Sequence, residues 1–414
     1  MYIRNLSIKN FKSFKNFSNV KFLYPEISSG RLKNSFDKEK VKYDNINVIL
    51  GNNSTGKTAF LKAIALSTLG PAVTDLKDTI RPFMWVRRPL NKNEHFSHID
   101  AYFESNPQDE APFEHIESSI RLEVVEKFKD KISWDHPQRK QWHPSLGSNP
   151  AAAFIVGYGA SRTVELPEKF DPIARKGGRY IRINRVRSLF EETYQLIPLD
   201  AWLPKMKTDN PGRYIQILGL LAKITGDDHF KLTEQLEDDQ YIFEKDGSKI
   251  PFNALSDGYR AFLGWVGDLL FHIEQTCPSG KKLVDNQGIV LIDEIDLHLH
   301  PEWQMKILPL LAEALPNIQF FVTTHSPLVV GSIEWQNIIY LKTDNNLISK
   351  PVREKRNTYG LDSDQILVSE LFGLKTTRNN SVADEIRILS FKASNGDSGA
   401  REKLMELMTK GKAI

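Results

Sequence analysis

The sequence predicts an α/β protein of the P-loop class, in which a mostly parallel sheet carries an antiparallel β subdomain and an inserted helical module. Two observations support this prediction. A glycine-rich loop, GNNSTGKT at residues 51–58, follows a short apolar strand and leads into an amphipathic helix. After residue 250, short apolar strands alternate with helices, which is the pattern of a mostly parallel sheet.

Length and composition limit the class of protein. The 414 residues are enough for two or three domains, or for one large domain with an insertion. The single cysteine, Cys277, excludes intrachain disulfides and a cluster of cysteine metal ligands, which favours a reducing compartment. The N-terminal stretch alternates like a strand, and we find no run of the roughly 18 apolar residues that a membrane span needs. We therefore expect a soluble, cytoplasmic protein that does not contact a membrane.

Changes in residue pattern divide the chain into four predicted segments. Residues 1–162 are expected to hold the first half of the core and the antiparallel subdomain, whose strands are SHIDAYFES and SIRLEVVEKF. A helical insertion follows at 163–250. The second half of the core spans 251–345, and 346–414 form a helical tail.

The insertion combines helical periodicity with strong charge. VRSLFEETYQLIPLDAWL and GRYIQILGLLAKIT predict helices, and Asp246-Gly247 predicts the turn of a hairpin. Its basic beginning, residues 173–187, is either a solvated loop and helix face or a surface for a phosphate backbone or a partner. A net charge of +3 does not decide between these two readings.

The loop GNNSTGKT fits the pattern G-x-x-x-x-G-K-[ST] in full. Glycines let backbone N–H groups turn toward phosphate oxygens, and the N-terminus of the following helix adds positive potential. Lys57 is expected to neutralise the β- and γ-phosphates, and Thr58 to coordinate Mg²⁺. The residues predicted to contact the nucleotide are Gly51, Asn52, Asn53, Ser54, Thr55, Gly56, Lys57 and Thr58.

A second strand, GIVLIDE, ends in two adjacent carboxylates. Buried carboxylates are costly unless they meet cations, and a nucleotide-bound Mg²⁺ is such a cation. Asp293 is then the outer ligand to the water shell of the metal, and Glu294 is the base that positions the attacking water. The alternative is an exposed strand end with ordinary acidic residues.

Histidines follow both strands of the predicted core. His325 ends the strand IQFFVTTHSP and is placed to hydrogen-bond the γ-phosphate, or else it is a capped turn residue. His298 and His300, with Asp296, suggest a metal site, although a loop that contacts another subunit explains them better. Ser256 of NALSDGYRAFLGW is the predicted N-cap of a long helix.

In chain order, GNNSTGKT, ALSDGYR, VLIDEIDLHLHP and FFVTTHSP resemble the Walker A, signature, Walker B with D-loop, and H-loop motifs of ABC-type ATPases related to SMC, RecF and OLD proteins. The resemblance covers residues 1–70 and 250–345. DEIDLHLHPEWQ and the tail GLDSDQILVSELFGLKTTRN resemble bacterial AAA-type ATPases of antiphage defence, including PtuA-like subunits of Septu systems and retron-associated relatives.

The resemblance implies an ABC-type head that binds ATP and Mg²⁺, hydrolyses ATP and forms a head-to-head homodimer. One subunit would supply the loop at 51–58, and the other would supply Ser256 and Gly258. A basic residue at the position of Lys12 would approach the nucleotide. The family pattern departs here at Asp257, where glycine is frequent, and no glutamine of a Q-loop can be placed.

The resemblance also implies a sensor or regulatory subunit of an antiphage complex, acting with a separate nuclease such as an HNH protein. Two alternatives stay open: a RecF- or SMC-like repair ATPase that binds DNA directly, and a scaffold in which ATP is structural. Asp362 and Asp364 in LDSD are interpreted as a helix N-cap, so we expect no nuclease centre in this chain.

Overall fold

The structure is a computed structural model. It describes residues 1–26, 41–78, 82–88, 95–109, 113–134, 142, 151–165, 167–170, 181–226, 230–237 and 240–409. Met1–Gly360 form one compact unit and Leu361–Ile414 a second one.

An antiparallel sheet forms the predicted β subdomain. Its strands lie in the order β2-β1-β4-β5-β6 and span Tyr2–Phe11 (β1), Phe14–Lys21 (β2), Phe96–Glu104 (β4), His115–Glu126 (β5) and Lys129–Trp134 (β6). Along β4 and β5 the side chains alternate between buried and more exposed, as expected when only one face packs on a core. The two strands predicted from SHIDAYFES and SIRLEVVEKF are therefore confirmed.

The second sheet is mostly parallel and has the order β14-β13-β3-β12-β11-β7 within the described residues. Its strands span Ile46–Leu50 (β3), Ile155–Tyr158 (β7), Gly288–Ile292 (β11), Ile318–Thr323 (β12), Ile338–Thr343 (β13) and Ser349–Val352 (β14). Only the edge strand β14 runs antiparallel to its neighbour. This architecture confirms the predicted α/β class, and β14 adds to the sheet a strand that we assigned to the helical tail.

Helix α1 (Lys57–Leu69) contributes to a single apolar core together with both sheets. Phe60 packs against Phe14 and Phe22 of the antiparallel side, and Phe22 in turn contacts Phe321 of β12. The residue pattern predicts no membrane-length apolar run. The stretch Lys57–Leu76 does have the length and composition of one, but 72% of its most apolar window is buried inside the protein. It therefore serves as a core helix.

The insertion is only partly helical. Its helices span Ile181–Phe190 (α2), Leu199–Asp209 (α3) and Pro211–Thr225 (α4). A small antiparallel sheet follows, in the order β10-β9-β8, with Phe230–Glu237 (β8), Gln240–Lys245 (β9) and Ser248–Pro251 (β10). The predicted turn at Asp246-Gly247 joins β9 to β10, with both residues in the left-handed region.

The continuous helix predicted across VRSLFEETYQLIPLDAWL is wrong in its middle. Helix α2 ends at Phe190, and α3 begins only after Pro198. Proline disfavours helical backbone at the preceding residue, which is Ile197, and the adjacent Leu196 forms a β-bridge with Val164. Residues 191–198 are thus a connection between two helices.

The basic segment does not present two of its arginines to solvent. Arg182 is 7% exposed and donates to the Ala152 carbonyl, and Arg185 is 2% exposed and lies over the ring of Phe154. Burial lowers the pKa of Arg185 to about 9. The reading of these two residues as a nucleic-acid surface is therefore wrong. Residues 173–180 of the segment lie outside the described part of the chain.

Further helices of the first unit lie within the second half of the core. They span Asp257–Thr276 (α5), Pro301–Ala314 (α6) and Pro327–Gly331 (α7). In the second unit, helices span Ser363–Leu367 (α8), Asn380–Ser394 (α9) and Ser398–Thr409 (α10). Asp362 is the N-cap of α8 and forms a capping box with Gln365, which confirms the interpretation of LDSD as a helix start.

Asp268 of α5 joins the insertion to the main sheet, and its removal should destabilise the fold. It is 2% exposed and accepts hydrogen bonds from the Tyr158 hydroxyl and the Ile197 amide, both at 2.8 Å. Asp268→Ala would leave two buried donors unpaired, so we expect the free energy of unfolding to fall by about 3 kcal/mol. Urea denaturation measures this loss.

Gln275→Ala is the matched control, since Gln275 is an exposed residue of the same helix. It should change the free energy of unfolding by less than about 0.5 kcal/mol. Equal effects of the two substitutions would show that Asp268 does not hold these elements together.

Candidate nucleotide-binding site

The glycine-rich loop lies at the carboxyl end of β3, an interior strand of the parallel sheet. Open parallel sheets bind their ligands at this edge. Gly56 has φ 97° and a Cβ there would lie 2.0 Å from the Ser13 hydroxyl, so no larger residue fits. Ser54 is also left-handed, with φ 65°. These angles turn the loop back on itself before α1 begins.

The ammonium group of Lys57 lies inside this loop. Its Nζ donates to the carbonyl oxygens of Gly51 at 2.9 Å and Asn52 at 3.2 Å. Burial lowers the pKa of Lys57, while the charges of Asp293 and Glu294 act in the opposite direction. A desolvated cation at the N-terminus of a helix is a strong attractor for an anion such as a phosphate.

Asp293 follows β11 and receives hydrogen bonds from two hydroxyl groups. Thr58 Oγ1 donates to Oδ2 and Thr323 Oγ1 donates to Oδ1, both at 2.6 Å. Asp293 is 4% exposed. The three residues arrive from different segments because β3, β12 and β11 are neighbours in the sheet. A buried carboxylate beside a threonine hydroxyl is the kind of oxygen pair that Mg²⁺ takes as ligands, so the residues fit this metal.

A cavity of about 400 Å³ joins these groups. The predicted site residues that line it are Lys12, Asn53, Ser54, Gly56, Lys57, Thr58, Asp293, Glu294 and His325. Of the other predicted residues, Gly51, Asn52 and Thr55 belong to the same loop. The cavity thus brings the loop, both carboxylates and the histidine together in one chain.

His325 lies at the end of β12 on the rim of the cavity. Burial lowers its pKa, and the nearby Lys57 ammonium lowers it further. Its backbone N–H donates to Asp296 Oδ1 at 3.3 Å. Both effects favour the neutral imidazole, which has a ring nitrogen able to donate to a phosphate oxygen.

Ser256 and Gly258 lie elsewhere, at a second cavity of about 870 Å³ that His298 and Trp303 also line. Ser256 is the N-cap of α5, as predicted, but its side chain makes no capping hydrogen bond. A Cβ at Gly258 would lie 2.5 Å from the carbonyl oxygen of His298, so only glycine fits. The first turn of α5 thus borders this second cavity, and neither Ser256 nor Gly258 lines the cavity that holds Lys57.

The residues of the suggested histidine metal site make local contacts instead. His300 is the N-cap of α6 and its Nδ1 accepts from the Glu302 amide at 3.4 Å. Asp296 accepts a hydrogen bond from Thr324 Oγ1 at 2.6 Å. Among the described residues, no group of three or more His, Cys, Asp or Glu side chains is placed to hold a metal ion.

Sequence reasoning missed three residues at this site. Lys62 lines the cavity. Its position four residues after Thr58 places it on the same face of α1, and this spacing could have identified it from the sequence. Thr323 had only a weak signal, a hydroxyl at the end of an apolar strand. Arg162 follows β7 in the turn GASR, and its Nη2 donates to the Glu294 carbonyl at 2.7 Å. No sequence pattern connected Arg162 with Glu294.

Comparison with protein families finds two matches. Residues 108–331, more than half of the chain, match the family described as "AAA domain, putative AbiEii toxin, Type IV TA system". Residues 5–193 match a second family described as "AAA domain".

Two curated proteins and one solved structure are similar to the chain. "Septu protein PtuA" of Bacillus mycoides (strain KBAB4) is 24% identical over 97% of this chain and 49% of that protein. "Retron Ec83 probable ATPase" of Escherichia coli is 45% identical over 24% of this chain and 19% of that protein. The chain thus matches about half or less of the length of these relatives.

The crystal structure of an SMC head bound to the C-winged helix domain of ScpA aligns with TM-score 0.50 and 17% identity, covering 86% of this chain and 98% of that one. The fold is therefore that of an SMC head.

Proposed function

Because this chain belongs to the AAA-domain family whose model covers more than half of it, we propose that it binds ATP with Mg²⁺ and hydrolyses it. One observation carries the proposal. The contact between Thr58 Oγ1 and Asp293 Oδ2, at 2.6 Å, lies beside the loop that holds Lys57. A phosphate-binding loop and a metal-binding pair thus meet in one cavity, which is what a Mg²⁺-nucleotide requires.

Five residues of the cavity have distinct parts in the proposed reaction. Lys57, with the N-terminus of α1, would bind the β- and γ-phosphates, and Thr58 and Asp293 would hold Mg²⁺, which would supply charge neutralisation. Glu294 orients the attacking water and accepts its proton. His325 donates a hydrogen bond to the γ-phosphate and so responds to its loss.

We propose that two copies of the chain meet around ATP. In one subunit the cavity with Lys57 holds the phosphates, and the partner would offer the open first turn of α5. The N-cap Ser256, whose side chain makes no capping hydrogen bond, supports this arrangement. Backbone N–H groups at the start of a 20-residue helix favour an anion such as the γ-phosphate.

The similarity to Septu and retron proteins supports a role as the ATPase subunit of an antiphage defence system. In this proposal ATP controls opening and closing of the dimer, and a separate nuclease such as an HNH protein acts on the target. Purification of the tagged chain expressed with its neighbouring genes, followed by mass spectrometry, should recover a nuclease at a fixed ratio. Recovery of the chain without any nuclease would contradict this partner assignment.

Glu294→Gln should abolish turnover while ATP still binds. The amide cannot accept the proton of the attacking water, so kcat should fall by about 10²–10⁴-fold. Phosphate release measures the rate, and calorimetry measures ATP affinity. The control is Glu123→Gln on the exposed side of β5. If the wild-type chain binds ATP without hydrolysing it, the nucleotide is structural.

Ser256→Arg should prevent ATP-dependent dimerisation without weakening ATP binding to the monomer. The substitution places a long cationic side chain over the open turn that would receive the phosphate of the partner. Light scattering with and without Mg²⁺-ATP measures the mass, and Ser18→Arg on the exposed side of β2 is the control. A mutant that still dimerises with ATP would show that Ser256 only begins its helix.

A further inference from the structure

Glu294 has a backbone conformation that non-glycine residues rarely adopt. Its φ is 50°, in the left-handed region. Such a conformation persists only where surrounding groups hold it in place. Because the direction of a side chain depends on its backbone, the groups that hold this peptide also decide where the carboxylate points.

Two buried side chains hydrogen-bond the backbone of Glu294, one at its N–H and the other at its carbonyl oxygen. Its N–H donates to Thr323 Oγ1 at 2.7 Å, and its carbonyl accepts from Arg162 Nη2, also at 2.7 Å. Thr323 belongs to β12 and also bonds Asp293. Arg162 comes from the turn after β7, on the other side of β11 in the sheet. The peptide of Glu294 is thus fixed by both strands that flank β11.

Arg162 is an unusual group at this position. It is 5% exposed and is itself left-handed, with φ 36°. Its second terminal nitrogen, Nη1, is buried and has no hydrogen-bond partner among the described residues. Burial lowers the pKa of Arg162 to about 10, while Asp293, Asp296 and Glu294 act in the opposite direction. Burying this cation is costly, and its one hydrogen bond in the described chain goes to the Glu294 carbonyl.

We propose that Arg162 is a positioning residue of the ATPase centre, which holds the Glu294 peptide so that the carboxylate faces the attacking water. This role rests on the proposed function, since it presumes that Glu294 acts on that water. Arg162 itself does not line the cavity with Lys57, so it acts through Glu294 and not on the phosphates.

The test is a comparison of Arg162→Met with wild type in the full chain. Loss of the hydrogen bond lets the Glu294 peptide relax and moves its carboxylate, so kcat should fall by about 100-fold. The affinity for Mg²⁺-ATP should change by no more than about twofold, because Lys57, Thr58 and Asp293 are untouched. A loss of kcat without a loss of affinity for Mg²⁺-ATP distinguishes a positioning role from a general loss of structure, because a loss of structure would lower that affinity as well.

Arg182→Met is the matched control. Arg182 is also a buried arginine that donates to a carbonyl, that of Ala152, but it lies outside the cavity with Lys57. The Arg182→Met variant should unfold at a lower temperature than wild type while keeping the wild-type kcat. If Arg162→Met does not fold, Arg162→Lys is measured instead, since it keeps a positive charge but its shorter side chain moves the donor away from Glu294.

Three results would overturn the role of Arg162: a wild-type kcat in the Arg162 variant, an affinity loss as large as the loss in kcat, or an equal loss of kcat in Arg182→Met. Failure of the proposed function looks different. In that case the wild-type chain would not hydrolyse ATP, or Glu294→Gln would retain the wild-type rate. The two failures can therefore be told apart. If the wild-type chain hydrolyses ATP, Glu294→Gln is inactive and Arg162→Met is fully active, only the proposed role of Arg162 is contradicted.

Discussion

The burial of Asp293 is the constraint on which the rest of the site depends. A carboxylate that is 4% exposed is tolerated only when hydrogen bonds or cations compensate its charge. Here the hydroxyls of Thr58 and Thr323 supply those bonds. They can do so only because the sheet places β12 between β3 and β11, so that loop, threonine and aspartate meet at one edge. Strand order therefore determines the chemistry of this cavity.

Some of the unfavourable backbone angles lie at this cavity. Lys12, Ser54 and Glu294, which line it, have positive φ, and so does Arg162, which binds the Glu294 carbonyl. A non-glycine residue in such a conformation costs free energy, which the surrounding structure must offset. The apolar core formed by both sheets and α1 is large and continuous, and it provides that stability. The fold thus places rigid strands directly behind strained turns, and the turns carry the polar groups.

Features set by local pattern were predictable from the sequence, and those set by tertiary contacts were not. The loop GNNSTGKT, the strand ends at Asp293 and His325 and the start of α5 follow from short motifs with periodic flanks. Arg162 escaped prediction because its partner is a backbone carbonyl far along the chain. Arg182 and Arg185 were misread because a basic stretch looks the same in sequence whether its side chains point out or pack inside. Their burial depends on how α2 packs.

A structure of the full chain with Mg²⁺ and a slowly hydrolysed ATP analogue tests the central claim most directly. We expect phosphates within the loop around Lys57 and Mg²⁺ held by Thr58 Oγ1, whose proton can still donate to Asp293. We also expect the Ser256 turn of a second copy at the γ-phosphate. A nucleotide whose phosphates lie away from the loop at residues 51–58 would contradict the claim.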